Sequence, residues 1–182
     1  MKTILLTLSL FIGLTVFGQG KYLTKTGELN FEASVPSFEE VAAKNNAVTA
    51  ILNTENGEFA ALALVKAFRF KNALMEEHFN ENYAESDQYP KATFKGKISD
   101  FNFNDLGETS TSMLVNGTLN FHGVTKTLND IQLTMTLTDN TIKLSGTFKV
   151  LVSDFDIEIP KIVANKLSNE VVVDFSFELV KK

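Results

Sequence analysis

Apolar and polar residues alternate along most of this chain. Leu29, Phe31 and Ala33 alternate with Glu28, Asn30, Glu32 and Ser34. Met113, Val115, Leu119 and Phe121 interleave with Leu114, Asn116, Thr118 and Asn120. The next two runs set Ile131, Leu133, Met135 and Leu137, then Ile142, Leu144, Phe148, Val150 and Val152, against polar neighbours. The last sets Val171, Val173, Phe175, Phe177 and Leu179 against Asp174, Ser176 and Glu178. One apolar and one solvated face mark antiparallel sheet. With the weaker runs, the pattern predicts about eight strands, over 28–34, 46–54, 58–70, 91–103, 111–121, 126–138, 141–152 and 169–180. Several are far longer than the usual strand. Long consecutive strands with tight connections predict an all-β fold, an antiparallel eight-stranded up-and-down barrel whose closure removes exposed edges.

Asn116-Gly117 has the composition of a hairpin turn, but the alternation runs through it. Gly117 is therefore expected inside a strand, where it allows a bend. The expected turns are His122-Gly123-Val124-Thr125 and Asp139-Asn140. Two helical pieces interrupt the sheet. Ser37 to Glu40, after Pro36, has a capping-box pattern with Phe38, Val41 and Ala42 on one side. The larger piece spans 73–83, with Asn72 as its N-cap and Glu76 and Glu77 in its first turns, where the helix dipole favours them. Leu74, Met75, His78, Phe79, Asn82 and Tyr83 form one mostly apolar stripe on it. A short turn is expected at 160–164, with Pro160 first.

The N-terminus changes which residues belong to the fold. Lys2, the apolar run from Ile4 to Phe17, and the small or modest residues Val16 and Gly18 before Gln19 have the form of a signal peptide over 1–18. The run holds about 14 residues, short of the roughly 20 that a spanning helix needs. Export to the periplasm or beyond, as a soluble protein that does not span the membrane, is the expectation. Removing 18 of the 182 residues leaves 164, a single domain over 19–182. No cysteine is present, which excludes thiol catalysis and cysteine-based zinc sites. Without Lys2, 16 basic residues face 22 acidic ones, a net of −6. That charge repels phosphate, so no nucleic-acid partner is expected. The 16 Phe, 3 Tyr and absent Trp point the rings toward a core or cavity, because Phe has no polar handle.

Little in the sequence resembles a reactive centre. His78 and His122 are the 2 histidines, and they fall in different elements without the spacing of a metal site. No metal and no cofactor is implied. Asp154, Asp156 and Glu158 alternate with Phe155 and Ile157. They are a solvated face, a cation site or adjacent carboxylates able to share a proton. The inward apolar candidates are Leu62, Leu64, Phe68, Phe70, Phe94, Met113, Val115, Leu119, Phe121, Ile131, Leu133, Met135, Phe148, Phe175 and Phe177. Alternation alone leaves open whether they fill a solid core or line a cavity.

Phe68-Arg69-Phe70 leads into Met75-Glu76-Glu77-His78-Phe79 and then Tyr89-Pro90-Lys91-Ala92-Thr93-Phe94-Lys95-Gly96. Together with the stretch from Gly117 to Lys126, the Asp154-Phe155-Asp156-Ile157 segment and the Val171-Val172-Val173 strand, this order resembles the YceI-like family over nearly all of the mature chain. The resemblance implies an exported, lipocalin-like barrel that binds polyisoprenoid or related long-chain lipid in its lumen. Two positions depart from the family pattern: Met75-Glu76 stands where many members have Arg-Asp, and His122 where many have Arg. His78 and His122 are the expected polar contacts for a ligand head group. The function expected is binding without catalysis. The protein would carry or store an apolar long-chain ligand such as a polyisoprenoid, an isoprenoid quinone or a fatty-acid-like lipid, with a homodimer left open. An exported enzyme acting on an apolar substrate, or a solid-core structural or interaction module, are the alternatives.

Overall fold

The computed structural model describes residues 20–182; the expected signal segment lies outside them. Among the described residues, nine strands form one sheet: β1 (Lys21–Ser34), β2 (Ala42–Asn53), β3 (Glu58–Leu64), β4 (Arg69–Phe70), β5 (Lys91–Ile98), β6 (Thr111–Phe121), β7 (Val124–Thr138), β8 (Thr141–Leu151) and β9 (Leu167–Lys181). They follow the order β1-β9-β8-β7-β6-β5-β3-β2, with every pairing antiparallel. β1 also pairs with β2, which closes the ring. β4 is a two-residue rung on β2, with Phe70 opposite Ala43 and Arg69 opposite Lys44. The result is a closed eight-stranded antiparallel barrel with one helix.

Both expected turns form. His122 and Gly123 (φ 50° and 77°) join β6 to β7, and Asp139 and Asn140 (φ 49° and 61°) join β7 to β8. Two consecutive left-handed residues twist a hairpin in the sense its strands need. Gly123 has a second reason to be glycine, since a Cβ there would stand 2.7 Å from Tyr89 Cε1. Gly117 lies inside β6, opposite Gly96 of β5. A Cβ on Gly117 would meet Lys95 O at 2.4 Å and the Phe94 ring at 2.6 Å.

Several boundaries differ from the sequence expectation. The strand expected over 58–70 stops at Leu64, and Val65–Ala67 makes a 3₁₀ turn that hands the chain from β5 to the upper edge of β2. The strand expected over 91–103 stops at Ile98, and Asp100 takes a left-handed conformation (φ 50°). β1 begins at Lys21 rather than 28 because irregular pairing around Gly27 breaks its alternation. The Ser37–Glu40 helix does not form. Ser37 is left-handed (φ 74°), and Phe38 N–H closes a turn onto Val35 O at 3.2 Å. An N-cap needs extended backbone, so the capping box has no helix to start.

The larger helix does form, as α1 (Ala73–His78) running on into a wider turn at Phe79–Tyr83. Asn72 Oδ1 accepts from Leu74 N–H at 2.9 Å as its cap. Glu76 anchors the helix to β4 by accepting from Arg69 at 2.9 Å and from Phe70 N–H at 3.2 Å. Among the described residues, no helix is long and apolar enough to cross a membrane.

The strands alternate in direction, which places α1 and the β1–β2, β6–β7 and β8–β9 connections at one end of the barrel. The start of β1, the end of β9 and the β7–β8 turn lie at the other. At that second end Leu52, Ile98, Met135, Ile142, Leu144 and Leu179 are fully buried and form a solid plug.

Candidate functional site

Above the plug the barrel is hollow. A cavity of about 510 Å³ reaches down from the end that carries α1. One wall is a group of phenylalanines. Phe31 of β1 lies 5.3 Å from Phe68, 5.7 Å from Phe70 and 5.3 Å from Phe79, centroid to centroid. Phe70 and Phe79 are 5.2 Å apart. On another wall Phe121 and Phe155 meet edge to face at 5.7 Å. Such tilted and edge-on pairs hold rings in place beyond what burial alone supplies. Val150, Val171 and Val173 line the cavity from β8 and β9, while Ile157, Ile159 and Val163 line it from the connection between those strands. Glu39, His78, Lys166 and Ser168 supply polar groups to the same lining. Phe38, which also lines it, is 45% exposed. This geometry can hold an elongated apolar molecule, with a polar end held near Lys166 or His78.

Residues 21–179 match the model of the YceI-like domain. The chain belongs to the YceI-like family. Its fold is similar to that of a polyisoprenoid binding domain from Saccharophagus degradans implicated in plant cell wall breakdown. That match has a TM-score of 0.77 at 19% identity and covers 90% of this chain and 99% of the other. BcnA of Burkholderia cenocepacia is similar with a TM-score of 0.69 at 15% identity, over 85% of this chain and 96% of that one. The Campylobacter jejuni YceI protein gives 0.58 at 15% identity, over 81% and 88%. No curated protein matches the chain.

Within this YceI-like barrel the expected inward residues divide by depth. Phe68, Phe70, Leu119, Phe121 and Phe148 line the main cavity. Phe94, Val115, Ile131, Phe175 and Phe177 line a smaller pocket of about 60 Å³ deeper in the barrel, which Leu119 and Phe148 also touch. Leu133 and Met135 belong to the solid plug, and Met113 packs against it half-buried. Leu62 and Leu64 were expected inward and lie on the opposite face from Ala61 and Ala63, which face the lumen; Leu64 is 49% exposed. β3 is apolar on both faces, so its larger leucines mislead about which side is inside. Leu29, Ala63, Ala92, Val150, Val171 and Val173 were missed as lining residues, although all but the two alanines lie on the same alternation.

His78 lines the cavity, on α1. His122 was expected to meet a head group, and the structure gives it other partners. Its Nδ1 bonds the Phe155 carbonyl at 2.9 Å, and its Nε2 bonds Glu85 Oε2 at 2.8 Å. Tyr89 packs edge-on against the ring at 4.6 Å. Both ring nitrogens are thereby occupied by protein partners, and neither is left to contact a ligand. His122 thus ties the helix-end segment and the β8–β9 connection to the β6–β7 turn. The Asp154 row is solvated rather than a proton-sharing pair. Asp154 accepts from Lys126 at 2.7 Å, and that hydrogen bond holds its carboxyl below the usual carboxylate range. Asp156 and Glu158 are exposed. Among the described residues, no group of three or more His, Asp or Glu side chains is gathered as a metal site.

Proposed function

We propose that this protein binds an apolar long-chain lipid in the barrel and carries or stores it without chemical change. The ligand is a polyisoprenoid, an isoprenoid quinone or a fatty-acid-like lipid. The observation that carries this reading is the cavity of about 510 Å³, walled by phenylalanine and valine, with Glu39, His78 and Lys166 among its few polar lining residues. Each buried methylene gains roughly 0.8 kcal/mol, so a chain of several carbons outweighs one imperfectly paired head group. The family and the fold shared with a polyisoprenoid binding domain support the same reading. The segment 1–18 supports export, with the mature chain starting near Gln19. N-terminal sequencing of protein from the producing cell checks the cut, and an intact Met1 would exclude it. The ligand is tested by solvent extraction of gently purified protein followed by mass spectrometry. Stoichiometric long-chain lipid is the expected result, and a reproducibly empty extract would refute the binding role.

A further inference from the structure

The deeper pocket adjoins the main cavity but is distinct from it. Leu29, Ala63, Ala92, Leu119 and Phe148 line both, which places them at the boundary between the two spaces. Two of the five are alanines paired across β3 and β5. The three large side chains come from β1, β6 and β8, which are not adjacent in the sheet. Beyond them lies a space of about 60 Å³ with Thr93 the single polar residue among those lining it. That space exceeds the roughly 10–15 Å³ that one water requires, but apolar cavities of this kind stay dry and accept apolar groups. Below it the plug of aliphatic side chains ends the lumen.

We propose that Leu29, Leu119 and Phe148 form a partition that sets the longest chain this barrel takes. The proposal rests on the lipid-binding reading and adds a limit to it. A chain entering from the α1 end gains affinity with each methylene until its tip reaches the partition. At about 0.8 kcal/mol per methylene, affinity rises about fourfold per carbon up to that length. Past it, the extra carbons stay outside the lumen and the rise stops. Removing the Phe148 ring joins the deeper pocket to the cavity, so the rise continues. Two further methylenes correspond to about sixteenfold tighter binding of a longer chain.

The test is a plot of affinity against chain length, measured by displacement of a fluorescent apolar reporter from delipidated protein. Saturated fatty acids and linear isoprenoid alcohols of increasing length are the two probe series. Wild type should show a break in slope at one length. Phe148→Ala and Leu119→Ala should move the break to longer chains, and Ala92→Leu should move it to shorter ones. Thermal melts identify any variant that fails to fold, and the remaining variants then carry the test. A break that stays in place in every folded variant, with or without a uniform loss of affinity, overturns the partition and leaves the binding role standing. Wild type that binds neither series at any length overturns the binding role itself.

Discussion

The two ends of this barrel are made by the same eight strands, yet their interiors are built differently. Where β1 begins and β9 ends, the inward residues are mostly aliphatic, with Tyr22 among them, and pack closely: Leu52, Met135, Ile142 and Leu179 have no exposed surface, and Leu144 has 1%. At the α1 end phenylalanine, valine and alanine make up most of the lining, and a space of about 510 Å³ is left between them. Aliphatic side chains reaching in from all sides fill a small barrel. Rings lying against the wall, with alanines between them, do not. The difference teaches that a barrel becomes a container through which residues face inward at each level, since strand number is the same at both ends. The plug supplies stability that the hollow end does without.

Deleting a plug side chain is therefore the largest single effect expected. Leu144→Ala or Leu179→Ala should cost about 2–5 kcal/mol, as buried leucine deletions do when the site cannot collapse. Val150→Ala faces the cavity and should cost less, because that side chain already lacks neighbours on one side. Urea denaturation of delipidated protein measures all three. Equal costs at both ends would erase the distinction between plug and container.

Overfilling separates the same two regions in the other direction. Leu144 is 1% exposed in the plug, so Leu144→Phe should overpack its surroundings at about 1–3 kcal/mol. Leu119→Trp adds its ring beside the main cavity; apo stability should fall by less while recovered lipid disappears. Thr118 is exposed, so Thr118→Trp should change neither. Melting curves alongside lipid recovered per mole would settle the ordering. If Leu119→Trp unfolds the apo protein, the interior at that level is a core.

Much of the fold was legible in the sequence, and the unread part has physical causes. Alternation located most of the strands, and the inward face of β6, β7, β8 and β9 follows from it directly. The helix over 73–83 was readable from its apolar stripe and the Asn72 cap. Depth was not readable: Leu133 and Leu119 carry the same side chain on the same kind of strand, yet one is in the plug and the other beside the cavity. Closure of the barrel decides that, and no local pattern encodes it. On β3 both faces are apolar, so Ala61 and Ala63 were passed over for Leu62 and Leu64. His122 was misjudged because its partners, Glu85 and Phe155, are distant in sequence. Phe155, Ile157 and Ile159 reach the cavity from a segment that is not a strand: Val152–Phe155 is a 3₁₀ turn and Asp156 is left-handed (φ 56°), so alternation could not locate them.

A smaller effect is expected at the helix that forms part of the hollow end. Asn72→Ala removes the side-chain acceptor for Leu74 N–H, which should cost about 1 kcal/mol. Since α1 carries Met75 and His78 into the cavity lining, lipid retention should weaken along with the melt. Asn72→Ser restores an uncharged acceptor and should recover most of both. A loss of stability with lipid retention intact would show that the helix is a cover rather than a wall.

The smallest effect is electrostatic and belongs to the hollow end too. Asp154 joins the β8–β9 connection to β7 through Lys126 at 2.7 Å. The hydrogen bond from Lys126 is the main cause of its lowered pKa, and burial opposes it. Because the folded value lies below the unfolded one, the stabilisation is fully present above the unfolded carboxylate range and is lost as pH falls through the folded value. Asp154→Asn removes this contribution, so wild type should exceed the variant in stability at neutral pH, with the gap narrowing in acid. The carboxylate is partly solvent-exposed, so added salt should also narrow the gap. Paired denaturation curves from neutral to strongly acidic pH, at low and high salt, make the comparison. A gap that widens as pH falls would mean that Asp154 is held by something other than its bond to Lys126.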